Sequence, residues 1–176
     1  TFGRTHRLTL NTLVQGAWAL LLSRYSGQAD VVWGYTVSGR PPELPGVEEM
    51  VGLFINTLPA RVAVDRDMPV VEWLRALRDA QMTGRQFQHI PLAKIRGWSE
   101  ISSGQPLFES ILGFENYPLP EMGAAREAAA DPGQADFRLY PLRSHSRTNF
   151  PLSLIVMPGS PIEIRLLYQG DRFGEA

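Results

Sequence analysis

The 176-residue chain contains no cysteine. Disulfides, thiolate-bound metals and a cysteine nucleophile are therefore excluded, and nothing argues for an oxidising compartment. Lysine is almost absent, Lys94 being the only one, and the arginines are interleaved with acids to a formal net charge of −1. No basic patch points to nucleic acid or to an anionic membrane surface. No window holds the roughly 18 consecutive apolar residues of a membrane span. The opening Thr1-Phe2-Gly3-Arg4 has neither an initiator methionine nor an apolar signal core, so a piece of a longer chain in a cytoplasmic setting is expected. Adjacent histidines are lacking too, since His6, His89 and His145 stand alone. Without a G-x-S-x-G elbow, a G-x-x-x-x-G-K loop or a G-x-G-x-x-G turn, a hydrolase triad and a nucleotide site find no support. The acids are dispersed, with no metal-ligand spacing.

What remains is the composition of an ordinary globular domain, 44% hydrophobic and 20% charged, long enough for one real core. Leu8 to Tyr25 has helical periodicity, with Thr9 as N-cap and Ser26-Gly27 as the stop. Leu10, Leu13, Val14, Ala17, Trp18, Leu21 and Tyr25 fall on the expected inner face. Asp30 to Ser38 reads as a buried strand, followed by a proline-rich loop from Gly39 to Gly46. A short helix is expected at Val47 to Val51 and a strand from Phe54 to Val64. A helix starting near Pro69 and running to Gln88 presents Val70, Trp73, Leu74, Leu77 and Met82. Pro91 to Trp98 predicts one more short helix. Strands are expected at Phe108 to Asn116, Ala135 to Leu142, Leu152 to Met157 and Ile162 to Tyr168, with a Gly/Ala-rich loop from Glu121 to Gln134. Pro158-Gly159-Ser160-Pro161 makes the last two strands a hairpin. The sum is an α/β fold with helices packed on a mixed sheet.

The most informative stretch is Val51-Gly52-Leu53-Phe54-Ile55-Asn56-Thr57-Leu58-Pro59-Ala60-Arg61. An amide and a hydroxyl inside an apolar run are costly to bury unless they are hydrogen-bonded. Asn56 and Thr57 must either brace neighbouring backbone or line a cavity. The stretch resembles a motif of the condensation domains of non-ribosomal peptide synthetases: aliphatic, Gly, any residue, Phe, aliphatic, Asn, Thr, three residues, Arg. Every fixed position is met. In family order, Leu8 to Trp18 resembles the first helix of the second lobe. Gly27 to Gly34 with Ser38-Gly39-Arg40-Pro41 resembles the next strand and loop. Gln88-His89-Ile90-Pro91-Leu92, Pro106 to Ser110, Phe114 to Pro118 and Ser146 to Leu152 resemble the later motifs.

The resemblance implies one lobe of the chloramphenicol acetyltransferase-like fold. Residues 1–176 would form the C-terminal lobe, the N-terminal lobe and the final helix being absent. The His-His-three residues-Asp-Gly loop of the family is not in this sequence, so no catalytic residue is assigned here. Asn56, Thr57, Arg61, Arg147 and Asn149 are implied as support of the substrate tunnel or active site, and Gly39, Arg40 and Pro41 as part of a floor loop. Arg61 would pair with a carboxylate across the lobe interface or locally. Phe54 and Trp98 are expected to pack, His89 to be a lone hydrogen-bonded histidine, and Gly52 to supply backbone freedom. No metal and no directly bound cofactor are implied. The phosphopantetheine arms of donor and acceptor carrier proteins would bring the substrates, and the missing lobe and an adjacent adenylation domain are the further partners implied. The reaction implied is amide formation between carrier-bound acyl or peptidyl donors and aminoacyl acceptors. A non-catalytic interaction module that recruits tailoring enzymes or carrier proteins, an epimerisation domain of the same fold, and a coenzyme A-dependent acyltransferase are the rival readings.

Overall fold

Thr9 opens the longest helix. In the computed structural model, which describes residues 2–41, 43–102, 104–115 and 148–174, its hydroxyl accepts from the N–H of Thr12 at 3.1 Å, the expected N-cap. After a short helix α1 (Phe2–His6), α2 runs over Leu10–Ser26 and ends at Gly27, whose φ of 72° lets its N–H reach Ser23 O. Only glycine adopts this left-handed C-cap freely. The inner face differs from the expected one. Thr12, Gln15, Gly16, Trp18, Ala19 and Ser23 are buried, while Leu20, Leu21 and Tyr25 are exposed, Tyr25 to 88%. The helix is apolar on two sides, so periodicity alone did not choose between them.

Five strands form one mixed sheet in the order β2-β1-β3-β4-β5. They are β1 (Asp30–Val37), β2 (Asn56–Ala63), β3 (Ser110–Phe114), β4 (Leu152–Met157) and β5 (Glu163–Tyr168). β1 pairs antiparallel with β2 and parallel with β3; β3 pairs parallel with β4, and β4 antiparallel with β5. Helix α3 (Val70–Gly84), a 3-10 turn at Arg85–Phe87 and α4 (Leu92–Trp98) complete the described elements. The hairpin of the last two strands is present as expected. The expected loop at 121–134 and the strand at 135–142 lie outside the described residues.

The core lies between the sheet and helices α2 and α3. Val31, Trp33 and Tyr35 alternate inward along β1, and Leu58, Ala60 and Val62 face the same way from β2, as a period of two requires. Trp18, Trp73, Leu74 and Leu77 cover them from the helices. Each large side chain so buried contributes roughly 1.5–3 kcal/mol. The indole of Trp73 also donates to Ala63 O at 2.8 Å, fastening α3 to the end of β2.

Four local expectations are corrected. The helix expected at Val47 to Val51 is absent: the turns end at Glu49, and Gly46 with a positive φ of 75° stands just ahead of Val47. β2 starts at Asn56 rather than Phe54: its pairing with β1 ends at Val37–Asn56, and Gly39 at φ 66° turns the chain away two residues later. Residues Val51 and Leu53 ahead of it are fully exposed. Trp98 closes α4 in an exposed position rather than packing, and Val70 and Met82 flank the buried face of α3 without joining it.

Candidate functional site

A cavity of about 820 Å³ opens beyond the C-terminal ends of the parallel strands β1 and β3. That volume suits a small-molecule chain. Its walls are Asn11 and Gln15 of α2, Tyr35 to Val37 of β1, Gln81 and Met82 of α3, the Arg85–His89 turn, and Phe114. Ser38, Arg40, Pro41 and Glu43 close one side.

Asn56 stands at the foot of β2, opposite Val37. Its Nδ2 donates to Gln88 O at 2.9 Å and to Ile90 O at 2.7 Å, and its Oδ1 accepts from the Thr57 N–H at 2.8 Å. Both amide hydrogens and the carbonyl are thus engaged by backbone. The side chain pins the Gln88-His89-Ile90 turn against the sheet and so sets where His89 meets the cavity. It acts on that wall as a brace. His89 is exposed at the rim. Thr57 points to the other face of the sheet, where its methyl packs 3.0 Å from the place a β-carbon on Gly34 would occupy.

The loop after β1 is built around Gly39 and Arg40. A β-carbon on Gly39 would lie 1.7 Å from Phe54 O, and the residue's φ is 66°, so both space and backbone demand glycine. The Arg40 guanidinium donates to Val47 O and, at 2.9 Å, to Met50 O. It also lies over the Phe54 ring, 4.3 Å from the centroid, a cation–π contact. Phe54 is therefore half-buried beneath an arginine rather than in the core. Pro41 O accepts from the Leu44 N–H at 3.1 Å and starts the following turn. One arginine thus ties Val47, Met50 and Phe54 to the start of the loop beside the cavity. Gly52 takes no positive φ, so the conformational freedom expected there is not used.

The other candidate residues lie elsewhere. Arg61 pairs with Asp30 on the adjacent strand, Nε to Oδ2 at 2.9 Å and Nη2 to Oδ2 at 2.7 Å, with both groups exposed. The pairing is local. The Arg61 hydrogen bonds hold the Asp30 carboxyl below its ordinary value. Asn149 is exposed and lines a smaller cleft of about 280 Å³ with Phe108, Phe150 and Arg172. Strand registers put Arg61, Asp30 and Asn149 toward one end of the sheet and Asn56, Gly39 and Arg40 at the other. The structure therefore groups Asn56 with the floor-loop residues and separates Arg61 and Asn149 from them. Arg147 lies outside the described residues.

Sequence reasoning passed over three residues of the cavity. Gln15 is 1% exposed, and its signal was a glutamine in the middle of an apolar helix. Gln81 of α3 lines the same space. Tyr35 is buried on β1; burial pushes its phenol upward, with Arg85 acting in the opposite sense. Among the described residues no group of His, Cys, Asp and Glu is arranged to hold a metal, and no helix is long and apolar enough to cross a membrane.

A family model described as Condensation domain matches residues 1–176. A linear gramicidin synthase protein of Brevibacillus parabrevis is 49% identical over 173 residues, which are 98% of this chain and 3% of that protein. Chondramide synthase of Chondromyces crocatus is 45% identical over 157 residues, 89% of this chain and 4% of that protein. The chain thus spans only a small fraction of the length of these curated relatives. Among solved structures, the X-domain from teicoplanin biosynthesis superposes with a TM-score of 0.69 at 22% identity, over 96% of this chain and 38% of that one. The first condensation domain of the CDA synthetase gives a TM-score of 0.66 at 16% identity, over 93% of this chain and 35% of that one. These likenesses show the fold, a mixed sheet with helices of the chloramphenicol acetyltransferase-like kind.

Proposed function

We propose that this chain, which belongs to the condensation-domain family, is the second of two lobes and supplies one wall and the floor of a tunnel for amide bond formation. Condensation domains are peptide-bond-forming acyltransferases. The observation that supports the role of this lobe is the 820 Å³ cavity bounded by the Asn56-pinned turn and the Arg40-clamped loop. In this reading a donor carrier protein presents an acyl or peptidyl thioester on its phosphopantetheine arm. An acceptor carrier presents an aminoacyl thioester from the opposite side. The acceptor amine attacks the donor carbonyl, an oxyanion forms, the donor thiol leaves and the amine gives up a proton.

That proton must be handled by a group placed against the amine. A histidine loop in the companion lobe would do this work. The present chain contributes position. Holding two reactants in register can supply about 7–11 kcal/mol of barrier reduction, and it requires walls that do not move. Asn56 fixes the turn at 88–90, and Arg40 fixes the floor. An adenylation domain would be the neighbour that charges the acceptor carrier, and the setting would be the cytoplasm.

The test is a single-turnover assay with two loaded carriers. Joined to its companion lobe, the chain is expected to give the amide-linked product on the acceptor carrier. Absence of product with a histidine loop intact would reject the reading and favour a non-catalytic recruiting module.

A further inference from the structure

Tyr35 brings an unused donor to the cavity wall. The residue is only 7% exposed, and its hydroxyl has no hydrogen-bond partner among the described residues. Four other polar atoms are sealed in without partners: Gln15 Oε1, Gln81 Nε2 and the indole nitrogens of Trp18 and Trp33. The Tyr35 hydroxyl is not among these closed-off atoms; it keeps accessible surface. Gly84 leaves it open. A β-carbon on Gly84 would lie 3.0 Å from the Tyr35 hydroxyl oxygen and would meet no other atom within 4 Å. The φ of Gly84 is −59°, ordinary for a helix, so the backbone does not demand glycine, and alanine is the better helix former. What the missing β-carbon leaves clear is the approach to the hydroxyl. Arg85 follows directly and lines the same cavity; its guanidinium has no hydrogen-bond or ion-pair partner among the described residues. Its charge is felt by the Tyr35 phenol, so the two donors share one stretch of wall. We propose that Tyr35 and Arg85 form a subsite for a carboxylate on the substrate chain that enters this cavity. The phenol donates to one carboxylate oxygen and the guanidinium to the other. This rests on the tunnel reading above and adds a substrate class, acyl or aminoacyl groups with an acidic end.

Three features select a carboxylate. First, a guanidinium has donors alone and the phenol adds one more, so the guest must supply acceptors. An ammonium would be repelled by Arg85. Second, the charge of the wall matches a single negative charge. Its charged side chains are Arg40, Arg85 and Glu43, with His89 at the rim; two arginines against one glutamate leave +1 when His89 is neutral. A phosphate dianion would exceed that charge and stand against Glu43. Third, Arg40 is already committed. Its guanidinium donates to Val47 O and Met50 O, which leaves Arg85 as the cation open to a guest. A hydrogen bond to an ionised acceptor is about twice as strong as a neutral one, and a donor held out of bulk water strengthens it further.

Calorimetric titration of the complete condensation domain tests the subsite with two probes. One is pantetheine bearing a glutaryl thioester, which ends in a carboxylate; the other is the same compound ending in a primary amide. The acid is expected to bind about tenfold more tightly, the worth of one hydrogen bond to a charged group. Tyr35→Phe keeps the ring and removes the donor, and Arg85→Gln removes the charge. Each should bring the ratio of acid to amide affinity close to one. Gly84→Ala keeps both donors but covers the hydroxyl, and it should lower the same ratio. If Tyr35→Phe does not fold, Arg85→Gln at its exposed position and Gly84→Ala carry the comparison. Equal binding of acid and amide by the unmodified domain overturns the proposal, as does a preference that survives all three substitutions. Inorganic phosphate that displaces the acid probe more readily than acetate does would give the subsite to a phosphate and overturn the carboxylate assignment. A domain that forms product in the carrier assay yet shows no acid preference sinks this inference alone. A domain that forms none sinks the functional reading.

Discussion

At the scale of single residues, the polar side chains that stood out in the sequence are mostly braces. Asn56 was legible as an amide that had to be satisfied; its partners were not, because Gln88 and Ile90 are more than thirty positions away and only the fold brings them near. Asn56→Ala leaves two carbonyls without their donor, which costs about 1–3 kcal/mol. Each kcal/mol is about 2–4 °C of Tm in a domain of this size, so calorimetry should show a clear drop. Hydrogen exchange should show faster opening at 88–90 than at the β1–β2 ladder. Tyr35 gives a prediction on the alkaline side. Burial raises its phenol in the folded state, so the neutral form favours folding. That contribution is complete below the ordinary value near 10 and is lost as pH rises through the higher folded value. Tyr35→Phe should therefore flatten the fall in Tm above pH 10 and change little at pH 7. Asp30 has the opposite sign. Its carboxyl is held low, so its contribution is lost only as pH falls below about 4. The Asp30–Arg61 pair is solvent-exposed, so Asp30→Asn is expected to lower Tm only slightly at neutral pH and to make no difference once the carboxyl is protonated in acid.

At the scale of elements, the position of most helices and strands followed from periodicity and punctuation. β4 was placed to the residue, and Thr9 and Gly27 were recognisable as caps. The buried face of α2 was not legible. Leu20, Leu21 and Tyr25 look like a core stripe, yet the buried residues are Thr12, Gln15, Gly16, Trp18, Ala19 and Ser23, and Gly16 is the one seated against Leu74 and Trp73 of α3. Small residues win there because two helices approach closely over Gly16, a choice that depends on the partner helix. Gly16→Ala tests this. In an isolated helix the change would stabilise by about 1 kcal/mol. Here the added carbon meets Leu74 and the Trp73 ring, and overpacking of this kind costs about 1–3 kcal/mol. A lower Tm is expected. A rise would mean that α2 and α3 are not locked at this point. Gly39→Ala should act on the floor loop in the same manner. The clash with Phe54 O and a left-handed backbone, itself worth about 1–2 kcal/mol, should free the loop at 40–54 and raise its rate of proteolytic cleavage before global unfolding.

At the scale of the whole molecule, the sheet has two distinct ends that the linear motifs did not distinguish. The cavity, the braced turn and the clamped loop share one end, while the Asp30–Arg61 pair and the Asn149 cleft share the other. A resemblance spread along the whole chain identified the fold, but distances between motifs required the strand registers. The clamped loop also presents Met50, Val51, Leu53 and Ile55 outward, an apolar patch of the kind that soluble surfaces seldom leave uncovered. The companion lobe is the covering that the functional reading assigns to it. Sedimentation of the 176-residue chain alone should therefore show reversible self-association, weakened by Leu53→Lys without loss of Tm. Complementation tests the central claim most directly. The chain is titrated into its separately prepared histidine-bearing lobe with loaded donor and acceptor carriers, and the amide product is followed by intact-protein mass spectrometry. Product that is absent with either part alone and saturates at one-to-one stoichiometry is the predicted result. Product from this chain by itself, or none at any ratio from two folded parts, would contradict it.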